Sequence, residues 1–278
     1  MLTTILETKR IEIADSRSRQ SIENLLRQAP DGIARFSEPL RGPGLNIIAE
    51  IKYRSPSHGP FHCQAKPEVI AGEYIEAGAA ALSILTDEEF FGGSPLFLQA
   101  VRRWMTEGPK EGGDEDWETQ RSARTRPILR KDFILDRYQL AEARAWGASA
   151  ALLIAACLSR DELRSLRAYA EEIGLETLVE VHDLYELEAA VESGAWLIGV
   201  NNRNLRTFEV DVKTSFTIAR ELEGEERIVL VSESGLHHRP QLLELKDAGF
   251  DAFLVGTAFM DRDHPGEKLR DLLGGGAE

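Results

Sequence analysis

Four charged residues stand where charge is costly. Glu50 and Lys52 in LNIIAEIKYRSPSHG, Lys131 in PILRKDFIL and Glu180 in ETLVEVHD each end or interrupt a short apolar run. Burying an unpaired Lys or Glu shifts its pKa strongly, which is how enzymes obtain acids and bases that work near neutrality. Glu50 and Lys52 are two residues apart, hence on one face of an extended strand, with Ala49 and Ile51 on the other. A surface ion pair beyond the strand, or a buried structural Lys–Glu pair, would show the same spacing. Two lysines and two glutamates at three strand ends point instead to one shared acid–base site.

Other segments add groups that bind without titrating. Asn201 is the first polar residue after Val200 in WLIGVNNRNL, where it can hydrogen-bond a ligand or simply open a turn. In RIVLVSESGL a strand gives way to Glu233, Ser234 and Gly235, and in DAFLVGTAFM another gives way to Gly256 and Thr257. Small residues let backbone N–H groups approach an anion, so these two loops suggest a phosphate, although either glycine alone is an ordinary turn residue. The six histidines show no HExxH or similar ligand spacing, and no GxGxxG or GxxxxGK[ST] loop occurs, so no metal, nucleotide or flavin cofactor is expected. Alternation assigns His182 to the face opposite Glu180, hence to packing against a helix rather than to chemistry.

Such groups must be brought together by strands that end at one place. Eight apolar runs qualify, at 46–51, 81–85, 128–130, 150–154, 177–181, 197–200, 228–231 and 252–255. None alternates with polar residues, so each suits a parallel sheet covered by helices, and eight in one series favour a closed (β/α)8 TIM barrel over a doubly wound sheet. In that architecture the active site lies at the carboxyl ends of the strands. Helical segments lie between the runs, at 159–173 after the cap Ser159, at 183–193 closing before Gly194, and at 239–247 before Gly249. Residues 2–29, with apolar positions Ile5, Ile11, Ile22, Leu25 and Leu26, fit one or two extra helices able to lid a barrel mouth. Residues 106–126 are polar and aperiodic and read as a disordered insertion. The chain is thus expected to form a single domain over 1–278, with a helical extension over 1–40 and the insertion at 106–126.

Composition narrows the partners. The net charge is −14, from 47 acidic against 33 basic residues, which excludes general attraction to nucleic acid. Cys63 and Cys157 form no CxxC pattern and are expected to be free thiols. The amino terminus lacks the apolar core of a signal peptide and no run of about 18 apolar residues follows, so a soluble cytoplasmic protein without membrane contact is expected.

Together these motifs closely resemble the indole-3-glycerol-phosphate synthase family of tryptophan biosynthesis. The likeness runs collinearly through AEIKYRSPSHG, ALSILTDEEFFGGS, PILRKDFILDRYQ, LVEVHDLYEL, IGVNNRNL, VSESGL and LVGTAFM, and extends to the helical residues before the first run. It implies a carboxy-lyase that closes 1-(2-carboxyphenylamino)-1-deoxyribulose 5-phosphate to indole-3-glycerol phosphate, with loss of carbon dioxide and water and without cofactor. By motif position, Lys131 resembles the general acid and Glu180 the proton acceptor. Lys52 resembles a lysine that contacts substrate anions and can supply a second proton, with Glu50 setting its charge. Ser55, Phe91, Phe133, Asn201, Arg203, Glu233 and Ser234 match substrate-contacting positions, and Gly235, Gly256 and Thr257 resemble the phosphate cradle. The implied partner is a small phosphorylated substrate, bound by a monomer with at most transient contact with other tryptophan-pathway enzymes. Insertion 106–126 departs from the family's short connection and is expected on the face away from the active site. Two rivals stay open: a phosphoribosylanthranilate isomerase, which would use a Cys and an Asp, and a catalytically silent phosphate-binding barrel.

Overall fold

The computed structural model describes residues 1–107 and 124–275. Eight parallel strands carry the apolar runs: β1 (Asn46–Ile51), β2 (Ala81–Leu85), β3 (Ile128–Lys131), β4 (Ala150–Ile154), β5 (Glu176–Val181), β6 (Leu197–Asn201), β7 (Val229–Glu233) and β8 (Ala252–Val255). Each strand pairs with its neighbours in the chain, and β8 closes on β1 in the register Asn46↔Ala252, which makes the sheet a closed barrel. The expected (β/α)8 architecture is therefore present, and the barrel abolishes the sheet edges that an open arrangement would expose.

Alternation along each strand sorts side chains between two apolar layers. Ile47, Ala49 and Ile51 of β1 face outward and pack with Ile70, Ala71 and Tyr74 of helix α3 (Pro67–Glu76). Ile48, Leu129, Leu178, Val231 and Leu254 face inward and fill the barrel with one another. The amino-terminal mouth is plugged by a short turn of helix at Glu38–Arg41, where Phe36 and Leu40 are fully buried. Ser37 donates its amide and hydroxyl to the Glu176 carboxylate at the start of β5, and Asn46 Nδ2 donates to the Leu40, Gly42 and Asp251 carbonyls. With that end filled, the cavity lies at the carboxyl ends of the strands.

Three of the outer helices are capped as their sequences signal. Helix α4 spans Pro95–Glu107, α5 Arg137–Ala145, α6 Arg160–Glu172 and α7 Leu184–Glu192. Ser159 and Glu162 form a reciprocal capping box on α6, Asp136 and Gln139 do the same on α5, and Asp183 caps α7 through the Glu186 amide. They are followed by α8 (Lys213–Glu221), α9 (Arg239–Asp247), a short α10 (Thr257–Met260) and α11 (Pro265–Leu273).

Two helices precede the barrel, α1 (Leu2–Arg19) and α2 (Ile22–Arg27). Helix α1 lies beside the open mouth, with Ile5 packed in the same cluster as Phe133 and Ile154, and Tyr138 of α5 donating its hydroxyl to the Ser16 carbonyl. Its buried stripe is Ile5, Lys9 and Ile13, whereas Ile11 is 72% exposed. The inward face repeats every four residues and Ile11 falls off it, which corrects the sequence-based apolar face.

The expectation for 106–126 falls largely on residues 108–123, outside the described residues. The described flank on the β3 side lies at the amino-terminal end of the barrel, where Arg126 Nε donates to the Ala79 carbonyl. No described helix is long and apolar enough to cross a membrane.

Candidate active site

The inward-facing position at the top of each strand decides what the mouth contains. Glu50 tops β1, Lys131 tops β3, Glu180 stands near the end of β5, Asn201 tops β6 and Glu233 tops β7. Leu85 and Ile154 occupy the corresponding ends of β2 and β4. Together they line a cavity of about 470 Å³, well within the size of small-molecule sites. Lys131 Nζ sits 2.9 Å from Glu180 Oε2 and 2.5 Å from Glu233 Oε2, and Lys52 Nζ sits 2.8 Å from Glu50 Oε1. Asn201 Nδ2 donates to Glu180 Oε1 at 3.0 Å.

Burial makes these contacts count. It would push the Lys131 ammonium down, yet the surrounding carboxylates of Glu180, Glu233 and Glu50 outweigh it and hold the pKa above the ordinary lysine value. Lys131 is thus a fully protonated donor. For Glu180 burial pushes upward, but Lys131, His182 and the Asn201 amide together hold the carboxyl well below the usual range, leaving a carboxylate that can accept a proton. Glu233 goes the other way. Burial and the neighbouring Glu180 charge raise its pKa against the pull of Lys131. The asymmetry has a plain cause, because among the described residues Glu233 Oε1 is buried with no hydrogen-bond partner while both Glu180 oxygens are engaged.

The cavity is chemically divided around the barrel. On the β2–β4 side stand Phe91 and Phe133, their rings tilted by 42° with centroids 5.9 Å apart, backed by Leu85, Leu152 and Ile154. On the β7–β8 side the backbone is close-fitting. Ser234 adopts φ 65° and Gly235 φ 76°. A non-glycine residue in that region costs roughly 1–3 kcal/mol, and Asn202 holds the turn by donating Nδ2 to the Glu233 and Ser234 carbonyls. A Cβ at Gly256 would meet Glu50 Oε1 at 2.5 Å, and one at Gly235 would meet Val210 Cγ1 at 2.5 Å, so packing as well as ligand access demands glycine at both. Burial lowers the His237 pKa, and the neighbouring His238 and the cations Lys268 and Arg203 lower it further, which marks this side as locally positive.

Glu50, Lys52, Ser55, Phe91, Lys131, Phe133, Glu180, Asn201, Arg203, Glu233, Ser234, Gly235, Gly256 and Thr257 all border this one cavity. The expectation for His182 is corrected. Residues 180 and 182 share parity, so the ring turns toward Glu180, with Nε2 at 3.4 Å from Glu180 Oε1 and Nδ1 at 2.9 Å from Glu186 Oε2. Sequence reasoning also passed over the loop after β6, where Leu205, Phe208, Val210 and Val212 complete the wall. Its apolar residues at 205, 208, 210 and 212, in an otherwise polar loop, were the available signal.

A barrel that gathers a protonated lysine, an ionised glutamate, an aromatic wall and a tight, positive turn at its open mouth defines an acid–base enzyme of the (β/α)8 class. The family model described as "Indole-3-glycerol phosphate synthase" matches residues 2–272. Full-length relatives carry the same description: that of Bacteroides thetaiotaomicron is 42% identical over 276 residues, covering 98% of this chain and 97% of the relative. That of Chlorobaculum tepidum is 40% identical over 279 residues, covering 99% of each. The chain belongs to the indole-3-glycerol phosphate synthase family. Among solved structures, 3-hexulose-6-phosphate synthase superposes with TM-score 0.59 at 11% identity, covering 84% of this chain and 100% of the other, a likeness of fold.

Proposed function

We propose that this chain closes 1-(2-carboxyphenylamino)-1-deoxyribulose 5-phosphate to indole-3-glycerol phosphate, releasing carbon dioxide and water, as a cofactor-independent carboxy-lyase of tryptophan biosynthesis. The observation that carries the reading is the opposite protonation of two groups in contact, a charged Lys131 and an ionised Glu180, at the mouth of a cavity with an aromatic wall. The aryl ring lies between Phe91 and Phe133, with Ser55 beside it. The phosphate lies against the Gly235 and Gly256–Thr257 backbone near Arg203.

The steps balance. The ring carbon bearing the carboxylate attacks the C2′ carbonyl carbon while Lys131 Nζ gives its proton to the carbonyl oxygen, forming an alcohol. Carbon dioxide then leaves, and the electron pair of its bond restores the aromatic ring. Lys52, or Lys131 once it has taken a proton back from solvent, protonates the hydroxyl, which departs as water. Glu180 takes the C1′ proton, completing the indole. Glu50 pairs with Lys52 and orients it, Asn201 aims Glu180, and Glu233 anchors the other side of Lys131, with Ser234 following it in the turn.

The chain acts in the cytoplasm as a single-domain monomer, a reading supported by its free Cys63 and Cys157 thiols and by described elements that belong to the barrel or pack against it. The test is to add the carboxyphenylamino-deoxyribulose phosphate to purified protein and follow indole fluorescence. Wild type should form product and Lys131→Ala should lose about 10²–10⁴-fold in kcat. No product from wild type refutes the activity, and an unaffected Lys131→Ala refutes the role given to Lys131.

A further inference from the structure

Helix α1 buries a charge in the middle of its apolar stripe. Lys9 is 2% exposed, with Nζ at 2.8 Å from Asp87 Oδ2, 3.2 Å from Asp132 Oδ1 and 2.7 Å from Glu12 Oε2. Both aspartates come from loops at the catalytic mouth, Asp87 just after β2 and Asp132 directly after Lys131. Each carries an aromatic residue of the cavity wall. Asp87 Oδ1 accepts the Phe90 and Phe91 amides at 2.7 and 2.9 Å, and Asp132 Oδ1 accepts the Phe133 amide at 2.8 Å. Asp132 has further partners in Arg130 and the Thr86 hydroxyl, but among the described residues Asp87 Oδ2 is buried with nothing but Lys9 to answer it.

We propose that Lys9 is a positioning residue for substrate recognition: by bridging Asp87 and Asp132 it sets the spacing of Phe91 and Phe133, the wall that receives the aryl ring. The proposal rests on the reading of that wall given above. It makes α1 part of the specificity machinery and not only a cover for the mouth. Without the bridge the loops keep only the Thr86 contacts among the described residues, its amide on the Lys131 carbonyl and its hydroxyl on Asp132 Oδ2, while the Asp87 carboxylate that holds the Phe90 and Phe91 amides is left buried and unpaired. The rings then drift apart on the side of the cavity opposite the Gly235 and Gly256 turns.

Kinetics of the full-length chain separate this from simple bracing. In Lys9→Met, KM for the carboxyphenylamino substrate should rise about tenfold, the scale of losing one well-placed aromatic contact, while the inhibition constant of inorganic phosphate stays within about twofold. Lys9→Arg, which keeps a cation, should recover most of the loss. Because an unpaired Asp87 can compromise folding, the double variant Lys9→Met with Asp87→Asn removes both charges. Its melting temperature should return toward wild type while KM stays raised. Recovery of KM together with melting temperature would overturn the proposal, as would an unchanged KM in a folded Lys9→Met or a parallel rise in the phosphate constant. Absence of product from wild type would instead overturn the reading of the wall, and the proposal with it.

Discussion

Gly199 lies on the inward face of β6, directly beneath the catalytic pair, and Gly199→Ala probes whether that pair is held by packing. An ideal Cβ there would stand 2.2 Å from Glu233 Oε1 and 3.3 Å from Leu178 Cδ1. Gly199 has no positive φ, so an alanine is acceptable to the backbone itself. The strain falls on Glu233, whose carboxylate must retreat by more than an ångström to reach ordinary contact. It is 2% exposed and bonded to Lys131 at 2.5 Å, so it can retreat only by breaking or dragging that contact. Overpacking of this kind costs about 1–3 kcal/mol, which lowers the melting temperature by several degrees in a chain of this length. Displacing the donor by about 1 Å should reduce kcat about a hundredfold. Indole fluorescence gives the rate and thermal unfolding the stability. Adding Glu233→Asp, one methylene shorter, should return most of the stability. A folded Gly199→Ala with kcat within threefold of wild type would show that the position of Glu233 does not control Lys131.

The other predictions concern protonation and the turn. Glu233 has a raised pKa of about 7, so the folded state takes up a proton that the unfolded state releases, and its ionisation opposes folding increasingly as pH rises from the ordinary glutamate range through that value. The melting temperature of Glu233→Gln relative to wild type should therefore shift in the variant's favour between about pH 5 and pH 8, and a constant difference across that range would contradict the assignment. His182, whose pKa burial would lower but Glu186 and Glu180 raise, helps hold the Glu180 carboxyl down. In His182→Asn the acid limb of the kcat/KM profile should move to higher pH, and an unmoved limb would remove His182 from the site's electrostatics. Gly256→Ala should cut kcat/KM at least tenfold, since its Cβ meets Glu50 Oε1 at 2.5 Å, and steady-state kinetics with activity near wild type would show that Glu50 has room to move.

Periodicity made most of the barrel legible. Runs apolar on both faces announce buried parallel strands, and the runs at β1, β2, β4 and β8 coincide with the observed bounds. At β3, β6 and β7 the strand continues past its apolar part to include Lys131, Asn201 and Glu233. Ladder pairing such as Leu85↔Lys131 and Asn201↔Glu233 sets those ends, and side-chain polarity does not report it. The strand-top charges were legible because a charge in an apolar run is conspicuous. Their pairing was not: Lys131 meets Glu180 and Glu233 across 49 and 102 residues, and only closure of the barrel sets those distances. Lys9 was hidden for the opposite reason. A lysine in an amphipathic helix reads as solvent-facing, and the only local clue is its place midway between Ile5 and Ile13 at four-residue spacing.

The distribution of residue types around the barrel explains why one cavity can serve three chemically different parts of the proposed substrate. The β2–β4 arc is apolar apart from Lys131 and Asp132, and its two aromatic rings are tied by buried aspartates, of which Asp87 lies behind the cavity wall. On the β7–β8 arc the site is made of backbone, which can approach an anion closely and cannot lose its dipoles to a rotamer change. The titrating groups occupy β1, β3, β5 and β7, every second strand, and inward side chains of alternate strands share a layer of a barrel of this kind. Glu50, Lys131, Glu180 and Glu233 are thereby forced into mutual range: neighbouring strands could not have supplied four charges at one height. This layering leaves an ammonium among three carboxylates. Lys131 stays charged for that reason and Glu233 surrenders part of its charge, which fits the site to receive a substrate bringing anions of its own.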